Sequence, residues 1–329
     1  VGAIEDWWLH AEGMEMCHIL SRDKRFRETV EAETALPELM MKAAKFHSTN
    51  QEVQEMLVAC ASEMCMMESH RGTFMSKGCE KFIADACVQY TGQEPVRCIF
   101  PIEEHGCIAY WHMQVPKKVS VLPQKLMESS SKFLLGALEN NSKNGVLVEH
   151  AMFTIQKFMS AEIPGALDHY YNANTIDHCI QAMSLHNGQI KTLDACQSII
   201  QHITHCPSLR DDTEKTPILL KTVAAVMRQC TQEANIMCNG LKIIGTLLDR
   251  VPCAKQHILT GALDVLVSCM REYPVGHESG IATDVQVGAI DIIAQFQFDE
   301  DNIGTTFMDF MNIIESGMRS FRSKTSLQI

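Results

Sequence analysis

A chain of 329 residues is too long for one compact core of ordinary size, so it forms either two domains or one elongated stack of repeats. Apolar residues make up 46% and aromatics only 6%; an apolar load of Met, Leu, Ile, Val, Ala and Cys favours helices over strands. The net charge of −12 excludes non-specific binding to nucleic acid, which needs a dominant basic face, and leaves basic protein segments as candidate partners.

The first helical pattern carries Trp7-Trp8. Adjacent residues on a helix point about 100° apart, so one Trp is expected to stand exposed or under a partner. The basic run from Arg22 to Arg27, like Arg319, Arg322 and Lys324 near the far end, reads as a solvated helix end. Two alternating series of amphipathic stretches follow. One comprises 34–41, 78–84, 125–138, 175–185, 216–227, 261–267 and 305–318; the other comprises 53–66, 101–113, 146–158, 193–203, 236–248 and 285–296. Thr34, with Pro37 in the first turn, and Thr216-Pro217 mark helix starts, a capping hydroxyl followed by a proline that the first turn tolerates. Residues 115–122 read as a connecting loop. Pro95, Pro116, Pro164, Pro207, Pro252 and Pro274 fall between the periodic stretches, where a missing N–H stops a helix. No stretch sustains an alternation of period two, so little or no sheet is expected.

The second series aligns on one packing point per helix: Leu57, Gly106, Ala151, Cys196, Gly240 and Ala289, at steps of 49, 45, 45, 44 and 49 residues. Five of the six are small, and a small side chain at a fixed phase lets two helix axes approach closely. A period near 45 with two long helices and a short third predicts an all-α, right-handed superhelical solenoid of about seven units in a single repeat domain over 1–329. The approximate units are 1–47, 48–90, 91–141, 142–186, 187–231, 232–274 and 275–320, with a tail at 321–329.

The segment 253–296 resembles an armadillo repeat. It reads Ala254-Lys-Gln-His-Ile-Leu-Thr-Gly-Ala-Leu-Asp-Val-Leu, then Asp284-Val-Gln-Val-Gly-Ala-Ile-Asp-Ile-Ile: a short helix, a Gly at the sharp turn, a second helix, and a third opening on Val-Gln. The Val-Gln opening recurs at Val53-Gln54 and the turn glycine at Gly78. HEAT repeats, with two helices per unit, are the near alternative. The armadillo resemblance implies that the third helices line a concave groove that binds other proteins. Positions two and six past each packing point would then face the groove: Ala59 and Glu63, Ile108 and His112, Phe153 and Lys157, Ser198 and His202, Lys242 and Thr246, Asp291 and Gln295. Of these, Glu63, His112, Phe153, Lys157, His202, Lys242, Thr246, Asp291 and Gln295 are the candidate partner-binding residues. The Asn and Trp ladder by which importin-like and catenin-like members grip a peptide backbone is missing from these positions.

Other chemistry is thinly marked. His202, His205 and Cys206 share one helical face at i, i+3 and i+4 and form the best metal-ligand set, although Pro207 stops the helix there. No nucleophile elbow and no phosphate-binding glycine loop occurs, so no enzyme and no cofactor is expected. Met64-Cys65-Met66-Met67 reads as repeat core. The 14 cysteines sit mostly inside apolar helical patterns, which points to a reducing, cytoplasmic-type compartment rather than a disulfide framework. No apolar run of about 18 residues is present, so no membrane insertion is expected. Beginning at Val1, the chain reads as a processed form or an excerpt of a longer protein. The combined expectation is a non-catalytic scaffold or adaptor, or a structural subunit of a larger assembly. A transport adaptor for basic peptides and a metal-dependent activity stand as alternatives. Circular dichroism of the purified chain will show roughly half or more helix, well above the globular average; a spectrum dominated by strand would remove the repeat assignment.

Overall fold

The computed structural model describes residues 7–29, 35–98, 100–113, 122–161, 163–211, 214–251, 254, 257–258, 262–273 and 280–295. Residues 115–121 of the loop expected at 115–122, Thr34, the helix at 305–318 and the tail at 321–329 lie outside the described residues, and Leu122, expected to end that loop, instead opens a helix. Every regular element among the described residues is helical. Two compact units are present, Val1–Ala166 and Leu167–Ile329.

The first unit holds α1 (Trp7–Ser21), α2 (Lys24–Thr29), α3 (Leu36–Phe46), α4 (Gln51–Met64), α5 (Glu68–Ser76), α6 (Cys79–Gln89), α7 (Ile102–Met113), α8 (Leu122–Asn140) and α9 (Gly145–Ser160). Helices α1, α4, α7 and α9 stack side by side in that order, and α3, α6 and α8 pack as a second row against them. The second unit holds α10 (Ala166–Asn172), α11 (Thr175–Leu185), α12 (Ile190–Ile203), a 3₁₀ turn (Pro207–Asp211), α13 (Lys215–Gln229), α14 (Ala234–Arg250), α15 (Leu263–Glu272) and α16 (Gly280–Ala294). Here α12, α14 and α16 stack, backed by α11, α13 and α15. The short elements α2, α5, α10 and the 3₁₀ turn supply a third helix per repeat, which favours the armadillo-type unit over the two-helix HEAT unit.

All six packing points are buried. Two are glycines at which an added Cβ would displace a neighbouring side chain. A Cβ added at Gly106 would overlap the Cys87 Sγ of α6, and one at Gly240 would lie 2.8 Å from Met227 Cγ of α13. At both points the second helix inserts a sulfur-bearing side chain into the space that a Cβ would take.

The connections repeat as strictly as the helices. In four-residue turns, the N–H of His47 bonds to the Ala43 carbonyl and that of Asn50 to His47. The same two bonds recur at Asn141 and Asn144, at His186 and Gln189, and at Cys230 and Glu233. Each turn lies a fixed ten residues before its packing point. The side chains of Asn50 and Asn144 cap α4 and α9 by accepting from Val53 and Leu147. The Val-Gln opening has a physical purpose as well. Gln54 Nε2 donates to the carbonyls of Ala44 (2.9 Å) and His47 (3.0 Å), and Gln286 Nε2 donates to that of Tyr273, so this glutamine satisfies the exposed end of the preceding second helix.

The turn from a third helix into the next short helix is held by arginine. Arg27 Nη1 donates to the carbonyls of Ser21 and Arg22 at the end of α1. Arg71, at the same offset 44 residues later, donates to those of Cys65 (2.7 Å) and Met66 (2.9 Å) at the end of α4. The basic run at Arg22–Arg27 is thus more than a solvated helix end: its last arginine is the turn clamp.

The 49-residue step between Leu57 and Gly106 is explained by a longer α6–α7 connection. The Glu55 carboxylate, 1% exposed, accepts from the backbone N–H of Val96 and Arg97 there. The Arg97 guanidinium then bonds Glu52 of α4 and Glu12 and Glu15 of α1 at 2.7–2.9 Å.

One sequence expectation needs correction. Thr216 is not the cap of α13: the helix begins at Lys215 with Glu214 at the cap position, and Thr216 is fully buried inside the first turn. A proline is tolerated anywhere in a first turn, so Pro217 fixes the start only to within a residue or two.

Thirteen cysteines are described as free thiols and ten of them are buried, where they pack as small hydrophobes. Burial pushes the Cys79 and Cys269 thiols up to about 12. Met64 and Cys65 are likewise core, while Met66 is exposed at the helix exit.

Gly106→Ala will destabilise the first unit by about 1–3 kcal/mol in urea denaturation, the usual cost of overpacking. Adding Cys87→Ala will recover much of that loss, a favourable coupling in a double-mutant cycle. A double variant that is the sum of its singles would show that the Gly106–Cys87 approach is not what sets the spacing.

Candidate partner-binding face

The groove positions assigned from the sequence fall on the third helices. In the first unit Glu63, His112, Phe153 and Lys157 are each partly exposed on α4, α7 and α9. Ala59 departs from the expectation: it is fully buried, because α1 packs over α4 at that level. In the second unit His202 is partly exposed in the last turn of α12, and Lys242 and Asp291 are exposed on α14 and α16. Thr246 is partly exposed with its hydroxyl turned back onto the Lys242 carbonyl at 2.8 Å, and Gln295 is exposed one residue past α16.

In the first unit these positions gather into a cluster. Trp111 is its centre. The ring lies 4.6 Å from that of His112, 5.5 Å from His150 and 6.4 Å from Phe153 between centroids. Lys157 Nζ sits 5.2 Å above the indole and donates to the Trp111 carbonyl at 3.3 Å. Two causes place this lysine. The last turn of α7 presents carbonyls without helical partners, and the ring face attracts a cation.

The charges that bear on His112 are one-sided. The His112 imidazole is lowered to about 4, chiefly by burial, with Arg71, His150 and Lys157 contributing in the same direction. Burial also lowers the Lys157 ammonium, with Arg71 adding to it. Glu104, the carboxylate on which His150 bears, is buried and accepts from Asn144 Nδ2 at 2.8 Å.

Glu63 occupies the corresponding place one repeat earlier, and its surroundings differ. Its carboxylate stands 3.7 Å from Arg27 and 3.9 Å from Arg22. Burial raises it, opposed by those two arginines.

Trp111, His150 and Arg71 were not among the sequence candidates. Counting two and six positions past the packing point follows one line of a helix, whereas an exposed helical face is at least about 100° wide. Trp111 lies five past its packing point and His150 one before. In the second unit the same wider face carries Asn239, whose Nδ2 donates to Asp194 at 3.0 Å.

The metal-ligand set is not assembled. Helix α12 ends at Ile203, so the i, i+3, i+4 geometry does not extend to His205 and Cys206. His205 points to solvent and its carbonyl accepts from Arg250, while the buried Cys206 thiol donates to Asp168 at 3.3 Å. Among the described residues no group of three or more His, Cys, Asp or Glu side chains is placed to hold a metal ion. Trp7 and Trp8 are both exposed, at 40% and 54%. No described helix is long and apolar enough to cross a membrane.

No protein-family model matches the chain, and no curated protein matches it. Among solved structures, a beta-catenin complex does, with a TM-score of 0.61 over 95% of this chain at 12% identity. That structure belongs to work on a phosphorylation switch controlling the interaction between cadherin and beta-catenin. This chain spans 63% of the matched chain. The likeness establishes an all-α helical-repeat fold similar to that of an armadillo protein.

His105, 6% exposed between α4 and α7, is lowered to about 4 by burial, with His18 and Arg22 adding to it; its Nδ1 lies 3.4 Å from the Ser62 hydroxyl. A base lowered in the folded state stabilises the fold above its unfolded value near 6.5 and loses that contribution as pH falls towards 4. Thermal melts of the wild type will therefore weaken across this window by up to about 3 kcal/mol from His105. His105→Gln will flatten that part of the profile; a variant with the same pH slope as wild type would remove the assignment.

Proposed function

We propose that this chain is a non-catalytic scaffold or adaptor that docks segments of partner proteins on its third-helix faces, alone or as a subunit of a larger assembly. The observation that supports it best is the half-buried Trp111–His112–His150–Phe153–Lys157 cluster on the faces of α7 and α9. An aromatic ring, a second ring beside it and a lysine held over it form a preorganised surface, with little rotamer freedom left to lose on binding. The partners in this reading are proteins or peptides and not nucleic acid, consistent with the net charge of −12. The buried free thiols fit a reducing compartment such as the cytoplasm. Basic transport peptides are the weaker reading, because the one organised cluster on the first unit's face is itself cationic.

The test is site-specific photo-crosslinking in the native cell. A photoreactive residue at Phe153 will yield discrete protein adducts, and one at Leu39, exposed on α3 of the second-helix row, will not. Equal adduct patterns from the two positions would overturn the docking face.

A further inference from the structure

The two arginine-clamped turns of the first unit invite comparison. Arg27 and Arg71 sit at the same offset and bind the carbonyls that end α1 and α4. Six residues past its packing point, each repeat presents one side chain towards its arginine. In the first case that side chain is Glu63, a carboxylate 3.7 Å from Arg27. In the second it is His112 of α7, the helix against which the Arg71-bearing α5 packs, and the Arg71 charge bears upon it. The anion of one repeat is thus replaced by a base in the next, and Lys157, whose Nζ lies 5.2 Å from the Trp111 ring beside His112, brings a further positive charge to the same spot. Arg71, His150 and Lys157 are the charged or titratable groups that bear on His112 from α5 and α9, and no carboxylate is among them. In a chain of net charge −12 this is a local excess of positive charge beside an aromatic platform.

We infer that the Arg71–His112–Lys157 corner is a docking site for an acidic side chain of a partner segment, whose carboxylate takes the place that Glu63 fills beside Arg27. The occupant is a peptide segment carrying Asp or Glu with an apolar neighbour: the carboxylate meets the cations while the apolar group lies against Trp111 and Phe153. The inference rests on the docking-face reading and specifies its ligand. Protons are linked to it. A bound carboxylate favours protonated His112, so binding takes up a proton and tightens as pH falls.

The probe is a fluorescently labelled peptide of alternating glutamate and leucine, titrated with the full chain by anisotropy, beside a peptide with lysine in place of glutamate. The acidic peptide will bind and the basic one will not. Lys157→Gln will weaken the acidic peptide about tenfold, one charge-assisted contact. His112→Glu, which places in this repeat the carboxylate its predecessor owns, will abolish binding with the far-ultraviolet spectrum unchanged. Affinity of the wild type will rise as pH falls from about 7.5 to about 6, and His112→Gln will flatten that rise. Undiminished binding by His112→Glu, or equal binding of the acidic and basic peptides, overturns the inference. Phe153 crosslinks that persist while the acidic peptide fails to bind overturn the carboxylate assignment alone. Failure of both overturns the docking face with it.

Discussion

Close approach of helices is the constraint on which this fold depends. A third helix must bury one side against its own second helix and two flanks against neighbouring third helices. On α4, eleven of fourteen residues are buried as a result. Such crowding is possible only where the contact is small. Glycine at 106 and 240 lets a sulfur of the second helix sit where a Cβ would be. The buried cysteines and methionines follow from the same need, since slim, polarizable side chains fill irregular gaps between rods.

Burying helices on three sides creates a second demand: their ends have to be satisfied. The structure meets it with the same few devices in successive repeats. Asn50 and Asn144 serve helix starts, Gln54 and Gln286 serve second-helix ends, and Arg27 and Arg71 serve third-helix ends. The partner-facing chemistry grows out of this last device. A cation placed to cap a helix is still a cation, and its neighbour decides whether that charge is spent inside the chain. Glu63 spends it at Arg27, and His112 does not at Arg71.

The long helices and their packing points were legible because burial on a fixed side leaves apolar residues at helical spacing. The short helices were harder to place. Helix α2 buries no residue, so it carries no periodic signal. Its arginine, repeated at Arg71, was the available clue. Trp111 escaped because a single line was counted along a broad face, and Thr216 was misread because Pro217 brackets a helix start without fixing it. The metal set at His202 failed for a local reason: the helix stops before its second ligand.

The outermost third helix of the first unit is held differently from the others. Helix α1 buries Ala11, His18 and Ser21, lies along α4, and is bonded as well through Arg97 to Glu12 and Glu15. Both carboxylates are over 40% exposed, so this bond belongs to the screened, solvent-facing kind. Helix α1 is thus fastened by its packing along α4 and, in addition, by charge. Ionic strength therefore acts on one part of this attachment alone: raising it screens the Arg97 link between α1 and the α6–α7 connection and leaves the packing of α1 on α4 in place.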